Sequence, residues 1–431
     1  MNPPRTQFPA THRASRAFPS RFSFSALTLA TLAALLLLPL AGRAANWPQF
    51  RGPTGLGYTE EKNLPLTWNA KTGENILWKS PLPKSDNPYS SPVVWGDRVF
   101  VTSVVNNPLE HHVLCFQASD GKQLWDVTVP PGRWLLKDLR GGYGAPTPAT
   151  DGKNVFVVFG SAVVAALDFE GKIVWRKELE KINFDVAMGS SPILFQDTVI
   201  LDCDQNGKTA SIIAFDKKSG DLAWEEKRPQ VAFAHSTPVL VTVGGKSQML
   251  VSASNALQGL DPATGKILWS CKAAGDASSP AFGGGLVFSD SGRGGRAVCV
   301  DPTGAGDVTM THLKWTFPQI PEGLSSAIIV GDGIFRTHNP ETLRCLKLSS
   351  GEPVFNERLT GVSTWASPFA TPEGNIYFAS AGKTYVVKTS DKLEVLATNE
   401  IGEENRASAA VSDGKIFLRG NKNLYCIGKK P

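Results

Sequence analysis

The chain carries six cysteines and six histidines in 431 residues, yet no adjacent Cys-Cys pair, no Cys-x-x-Cys and no Cys/His grouping. Zinc sites read from spacing are excluded with them. Helical periodicity is missing from nearly all of the sequence after residue 45, which excludes helical fold classes. No later apolar run is long enough to span a bilayer. No G-x-S-x-G context is present, and neither Gly283–Gly285 nor Ser291–Arg296 combines a preceding strand with a helix that it opens. They read as hairpin turns rather than phosphate loops.

An excess of one charge is missing too, once the first residues are set aside. The stretch before Phe22 holds Arg5, Arg13, Arg16 and Arg21 and no acid; an apolar run from Phe24 to Leu40 follows, closed by Ala41, Gly42, Ala44 and Ala45. This is the layout of a secretory signal peptide, with cleavage expected near Ala44/Ala45. The alternative is a retained anchor, but the run is short and broken by Pro39. Removing the leader's five arginines from 44 basic residues leaves 39, against 39 acidic ones. The basicity is a targeting signal, so a nucleic-acid partner is not expected.

Residues 46–431 read as one repetitive domain. Each copy opens with a hydroxyl residue or pair and a Pro, followed by an apolar strand. Then come a turn, a second strand, a third strand, Asp-x-x-x-Gly, and a strand ending in Trp. Openings stand at Ser90-Ser91-Pro92, Thr147-Pro148, Ser190-Ser191-Pro192, Ser236-Thr237-Pro238 and Ser278-Ser279-Pro280. Weaker ones stand at Ser325-Ser326-Ala327, Ser367-Pro368 and Ser408-Ala409-Ala410, which makes eight. Closing strands end at Trp125, Trp175, Trp224, Trp269, Trp315, Phe355 and roughly Val395. The eighth opening lacks a closing strand, whereas Thr72–Trp78 is a closing strand with no opening. The two fragments complete each other. The expected fold is all-β: an eight-bladed β-propeller of four-stranded antiparallel blades, closed by an N-terminal strand in the last blade, with seven blades as the alternative because the last three copies are degenerate. Turns such as Asp120-Gly121 and Ser219-Gly220 suit the hairpins. The recurring Trp is expected at the blade–blade seam, where Trp224→Ala should cost about 3–5 kcal/mol.

Leu257–Trp269 and Ala214–Trp224 resemble the tryptophan-docking repeat of the pyrroloquinoline-quinone (PQQ) propellers, and Asn46–Pro53 resembles the start of many single-propeller members. The resemblance spans the mature chain and weakens in the last three copies. The family holds both quinoprotein dehydrogenases and non-enzymatic scaffolds such as BamB, so the repeat does not choose between them. The enzymes use PQQ with calcium, and many carry an adjacent Cys pair that is missing here. No ligand set can be carried over, and no cofactor is favoured; PQQ with calcium remains the alternative.

Cys115, Cys299, Cys345 and Cys426 share one place in the third strand and read as small buried hydrophobes, too far apart to pair. Cys203 and Cys271 could pair only if blades three and four brought them together. His111 and His112 should point to opposite faces of a strand, against a metal site. In a propeller the residues just before each first strand converge on one mouth of the channel. Here those are Tyr89, Arg140, Tyr143, Asp185, His235, Asp276, Glu322, Trp365 and Arg406, with Met188 and Asn405 beside them. They are the candidate ligand or partner site. The expected function is a non-catalytic extracytoplasmic scaffold for a protein or cell-envelope partner. Alternatives are a PQQ-dependent oxidoreductase, or a carbohydrate- or polymer-binding propeller using the aromatics.

Overall fold

The structure is a computed structural model. It describes Met1 and residues 45–430, except 84, 87, 136–140, 181–187, 207, 380–382 and 405. The expected leader and its cut site at Ala44 lie outside the described residues, as do Arg140, Asp185 and Asn405. The unit Ala44–Pro431 is all-β. No helix among the described residues is long and apolar enough to cross a membrane.

Eight four-stranded sheets form the blades of a propeller. Their first strands are Val93–Trp95, Ala149–Thr150, Ile193–Phe195, Val239–Val243, Ala281–Gly283, Ile328–Val330, Phe369–Ala370 and Ala410–Ser412. The closure expected from the two half-repeats is present. Ile76–Pro81 pairs antiparallel with Asn423–Ile427, Trp78 facing Cys426. Second and third strands are the buried layers of each blade, because stacked neighbours cover both of their faces; fourth strands are half-exposed. Blade 4 departs from the pattern. Its second and third strands run on as Lys246–Leu260, turning through Asn255 at φ 84°, and its outer edge gains a short parallel partner, Gly306–Asp307.

The seam explains the repeat's Trp and Gly together. The indole N–H of Trp175 donates to the Lys217 carbonyl at 2.9 Å, and that of Trp315 to the Leu348 carbonyl at 2.8 Å, both in the next blade's hairpin. A Cβ at Gly220 or Gly351 would lie 2.6 Å from those indoles, and both glycines sit at positive φ. Glycine alone meets both demands. Trp78 crosses the closure in the same way, donating to the Ala118 carbonyl at 3.1 Å.

Each closing aromatic faces a small residue on the third strand: Cys115 opposite Trp125, Ala166 opposite Trp175, Gly259 opposite Trp269. The four cysteines at this place are therefore packing residues. All six cysteines are free and buried, so Cys203 and Cys271 do not pair. In blade 7 the slot belongs to Ala397, which faces Val386; Val395 is 41% exposed. The expected ending at Val395 is corrected to Ala397: the bulge before the slot is the one found in the other blades, but blade 7 has no aromatic there to mark its place in the sequence.

Trp269 is fully buried and donates to Gln248 Oε1 at 2.9 Å, whereas the half-buried Trp224 has an indole N–H with no acceptor among the described residues. Trp269→Ala should therefore cost about 3–5 kcal/mol. Trp224→Ala should cost less, about 2–3 kcal/mol, since it also removes an unsatisfied donor. Urea unfolding of the two variants compares them directly, and equal losses would contradict the assignment.

Candidate functional site

The hydroxyl residue two positions before each first strand builds the wall of the channel. The backbone N–H of Ser91 donates to Thr147 Oγ1, Thr147 to Ser191, Ser191 to Thr237, and Thr237 to Ser279. The ring continues through Ser326, Ser367 and Ser408 and closes from Ser408 back to Ser91, every bond at 2.9–3.1 Å. Backbone donors of one blade are thus satisfied by the next, which is the economy that a repeat makes available. Each oxygen accepts within the ring. None of the eight hydroxyls donates to a protein acceptor among the described residues, and all eight line a cavity of about 400 Å³ on the axis.

The far side of the channel is crossed by the segment that follows Asn46. Trp47 exchanges backbone hydrogen bonds with Val94 of blade 1, Thr150 of blade 2 donates to the Pro48 carbonyl, and Ala370 of blade 7 donates to that of Gly57. Gly55 lies against Val239 of blade 4, and Tyr58 Oη donates to the Ile329 carbonyl of blade 6. A dozen residues that reach first strands on five blades must lie across the axis. Phe50 becomes part of the cavity lining.

Arg51 of this segment is 2% exposed. Its Nη2 donates to the Leu56 and Ala327 carbonyls at 3.0 and 2.6 Å, while Nε and Nη1 are buried without a partner. Ala327 directly follows ring member Ser326. Arg419 is equally buried beside the ring, donating to the Ser90 and Thr102 carbonyls at 3.2 and 2.5 Å. Neither guanidinium has a carboxylate partner among the described residues. Burial pulls Arg51 down to about 10 and Arg419 to about 9.

Tyr89, His235, Glu322, Trp365 and Arg406 line this cavity. Tyr89 and Trp365 stack at 5.4 Å, and the Arg406 guanidinium lies 5.8 and 5.6 Å from the two rings while donating to Tyr89 Oη at 3.1 Å. Asp276 stands behind the lining. Its carbonyl accepts from the His235 N–H at 2.5 Å, and its carboxylate holds Arg293, itself a lining residue, at 3.1 Å. Tyr143 is a correction: it is 4% exposed and packs beside His111 within the core of blades 1 and 2. Met188 is buried likewise. A large apolar ring gains more from that core than from a wet rim.

Sequence reasoning missed Arg293, Phe50, Arg51 and the ring. The ring's signal was present in all eight openings, but a hydroxyl repeated for packing and one repeated for a shared site look alike in sequence.

His111 and His112 do point apart. His111 stacks on Phe159 at 4.2 Å, where burial pushes it down to about 3; His112 contacts Asp126 and Glu110 at 2.8 and 3.3 Å. Among the described residues no cluster of three or more His, Cys, Asp or Glu suits a metal ion.

Residues 109–357 match the profile of a family described as outer membrane protein assembly factor BamB. Among solved structures, the fold is similar to BamB from Moraxella catarrhalis, with TM-score 0.58 and 12% identity, covering 82% of this chain and 98% of that one. It is also similar to a quinohemoprotein alcohol dehydrogenase from Pseudomonas putida HK5, with TM-score 0.54 and 10% identity, covering 90% and 81%. In sequence the chain is 22% identical to a tetrathionate hydrolase of Acidithiobacillus ferrooxidans over 371 residues, 69% of this chain and 71% of that protein.

Proposed function

The chain belongs to the family of the outer membrane protein assembly factor BamB, and from that premise we propose that it is a non-catalytic binding scaffold of the cell envelope. The leader-like first 45 residues support export to the periplasm or beyond. The observation that carries the reading is the axial funnel, closed below by the Trp47–Tyr58 segment and rimmed by loops of several blades. Tyr89, Trp365, Arg406, His235 and Glu322 would form the contact surface.

A PQQ-dependent oxidoreductase is the alternative that the dehydrogenase neighbours bring. Its calcium would need a nest of carboxylate and amide oxygens. The described lining offers one carboxylate, Glu322, alongside Arg293 and Arg406, with Arg51 and Arg419 buried close by. These residues do not fit a calcium-bound quinone, and no oxidation step follows from them. A sugar platform is weakened as well, since Tyr89 and Trp365 each cover one face of the other.

Pulldown from envelope extract tests the reading. A partner should be retained by the wild-type protein, and its recovery should fall about tenfold or more for Tyr89→Ala/Trp365→Ala. Recovery that ignores the double substitution would overturn the funnel as the contact site.

A further inference from the structure

The eight ring hydroxyls and the two buried guanidiniums both point to the chemistry of an occupant. Every hydroxyl oxygen in the ring already accepts a backbone N–H. A hydroxyl has one proton to donate, and these protons have no acceptor in the wall. The cavity is therefore rich in donors on all sides at one level.

Arg51 lies just past that level, with two buried nitrogens unpartnered. A buried charge is normally paired, because leaving it alone is costly. Arg419 adds a second positive charge behind Ser90. Two other fully buried arginines have their acids, Arg336 on Asp290 and Arg228 on Asp204. Lone buried cations beside a collar of unspent donors make an anion site, since hydrogen bonds to a charged acceptor are the strong ones.

We infer that the funnel binds the oxyanion end of an organic acid, a carboxylate or sulfonate, seated within the hydroxyl collar next to Arg51, with its body leaving past Tyr89, Trp365 and Arg406. This rests on the binding reading above and names its ligand class. The acid can be a free small molecule or the acidic end of a peptide, because both present the same group to the collar.

Titration calorimetry of the full chain with benzoate and benzenesulfonate, against the neutral benzamide, tests it. Both acids should bind and benzamide should not. Arg51→Met keeps the buried space beside the channel filled while removing the charge, an exchange that buried sites often tolerate. It should fold and weaken both acids about tenfold or more. Ser279→Ala/Ser367→Ala should weaken them without touching either arginine. A short peptide with a free C-terminal carboxylate, compared with its amide, separates a peptide source from a free acid. Benzamide binding as well as benzoate, or acids indifferent to both sets of substitutions, would overturn the inference. No acid binding, while partner capture still depends on Tyr89 and Trp365, would overturn it and leave the scaffold reading intact. Acid binding with capture independent of those aromatics would do the reverse.

Discussion

A chain beginning at Leu82 will not unfold cooperatively on heating, and a peptide covering residues 46–81 added in trans will restore the transition. The truncation leaves Asn423–Ile427 as an exposed edge, which is prone to pairing with other chains. It also removes Trp78, whose ring packs on Gly121 of blade 1 and whose N–H binds the Ala118 carbonyl. Blade 8 then loses its partner strand and its seam together. Trp47 and Trp68, each 2% exposed, go with it. Truncating one buried Trp costs about 3–5 kcal/mol, and a whole domain commands only about 5–15 kcal/mol. A chain beginning at Ala70 keeps the closing strand but not the crossing segment. It should fold with lower stability, which separates closure from plugging. Circular dichroism melts check all three. A Leu82 start that melts as sharply as the full chain would remove closure as the source of cooperativity.

Arg228→Met is expected to cost about 3–5 kcal/mol, the usual loss when one member of a buried ion cluster is removed. Asp202, Asp204 and Arg228 are all fully buried in blade 3, with Arg228 Nη1 on Asp204 and Nε on Gln258 Oε1 at 2.8 Å. Two acids share one cation. Burial raises Asp202 to about 6 and holds Asp204 well above the ordinary carboxylate range, its neighbour Asp202 adding to the rise. The native state therefore keeps protons that the unfolded chain, with carboxyls near about 4, gives up. That contribution is complete below about pH 4 and is lost as pH rises through about 6 and, for Asp204, beyond it. The Arg228→Met loss should accordingly be larger at about pH 8 than at about pH 5, because the stranded carboxyls can protonate at the lower pH. Asp204→Asn should flatten the wild-type slope over the same interval. Denaturant unfolding at the two pH values measures both, and a loss for Arg228→Met that is the same at both would show that the cluster carries no bound proton.

The repeat made the architecture legible in the sequence. Eight openings and an orphan closing strand ending at Trp78 point to circular closure and to eight blades, with seven left open by the degenerate last copies, because turn chemistry and strand periodicity are local properties. The third-strand cysteines were legible for the same reason: their place in the repeat gave their burial. Val395 was misplaced because blade 7 has Ala397 where the other blades have an aromatic, so the repeat's marker is missing from its sequence. Tyr143 was misplaced because its ring packs into the core of blades 1 and 2, and that depends on the space between two blades rather than on the neighbouring sequence.

The sequence by itself thus determined a closed β-propeller. Only the tertiary structure decided what the axis contains. The hydroxyl ring joins residues some 40–60 positions apart, and Arg51 reaches a carbonyl 276 positions away. Repeats report what each blade needs for its own packing. The charge and hydrogen-bond balance of the channel arises only when eight blades and the segment crossing them share one space.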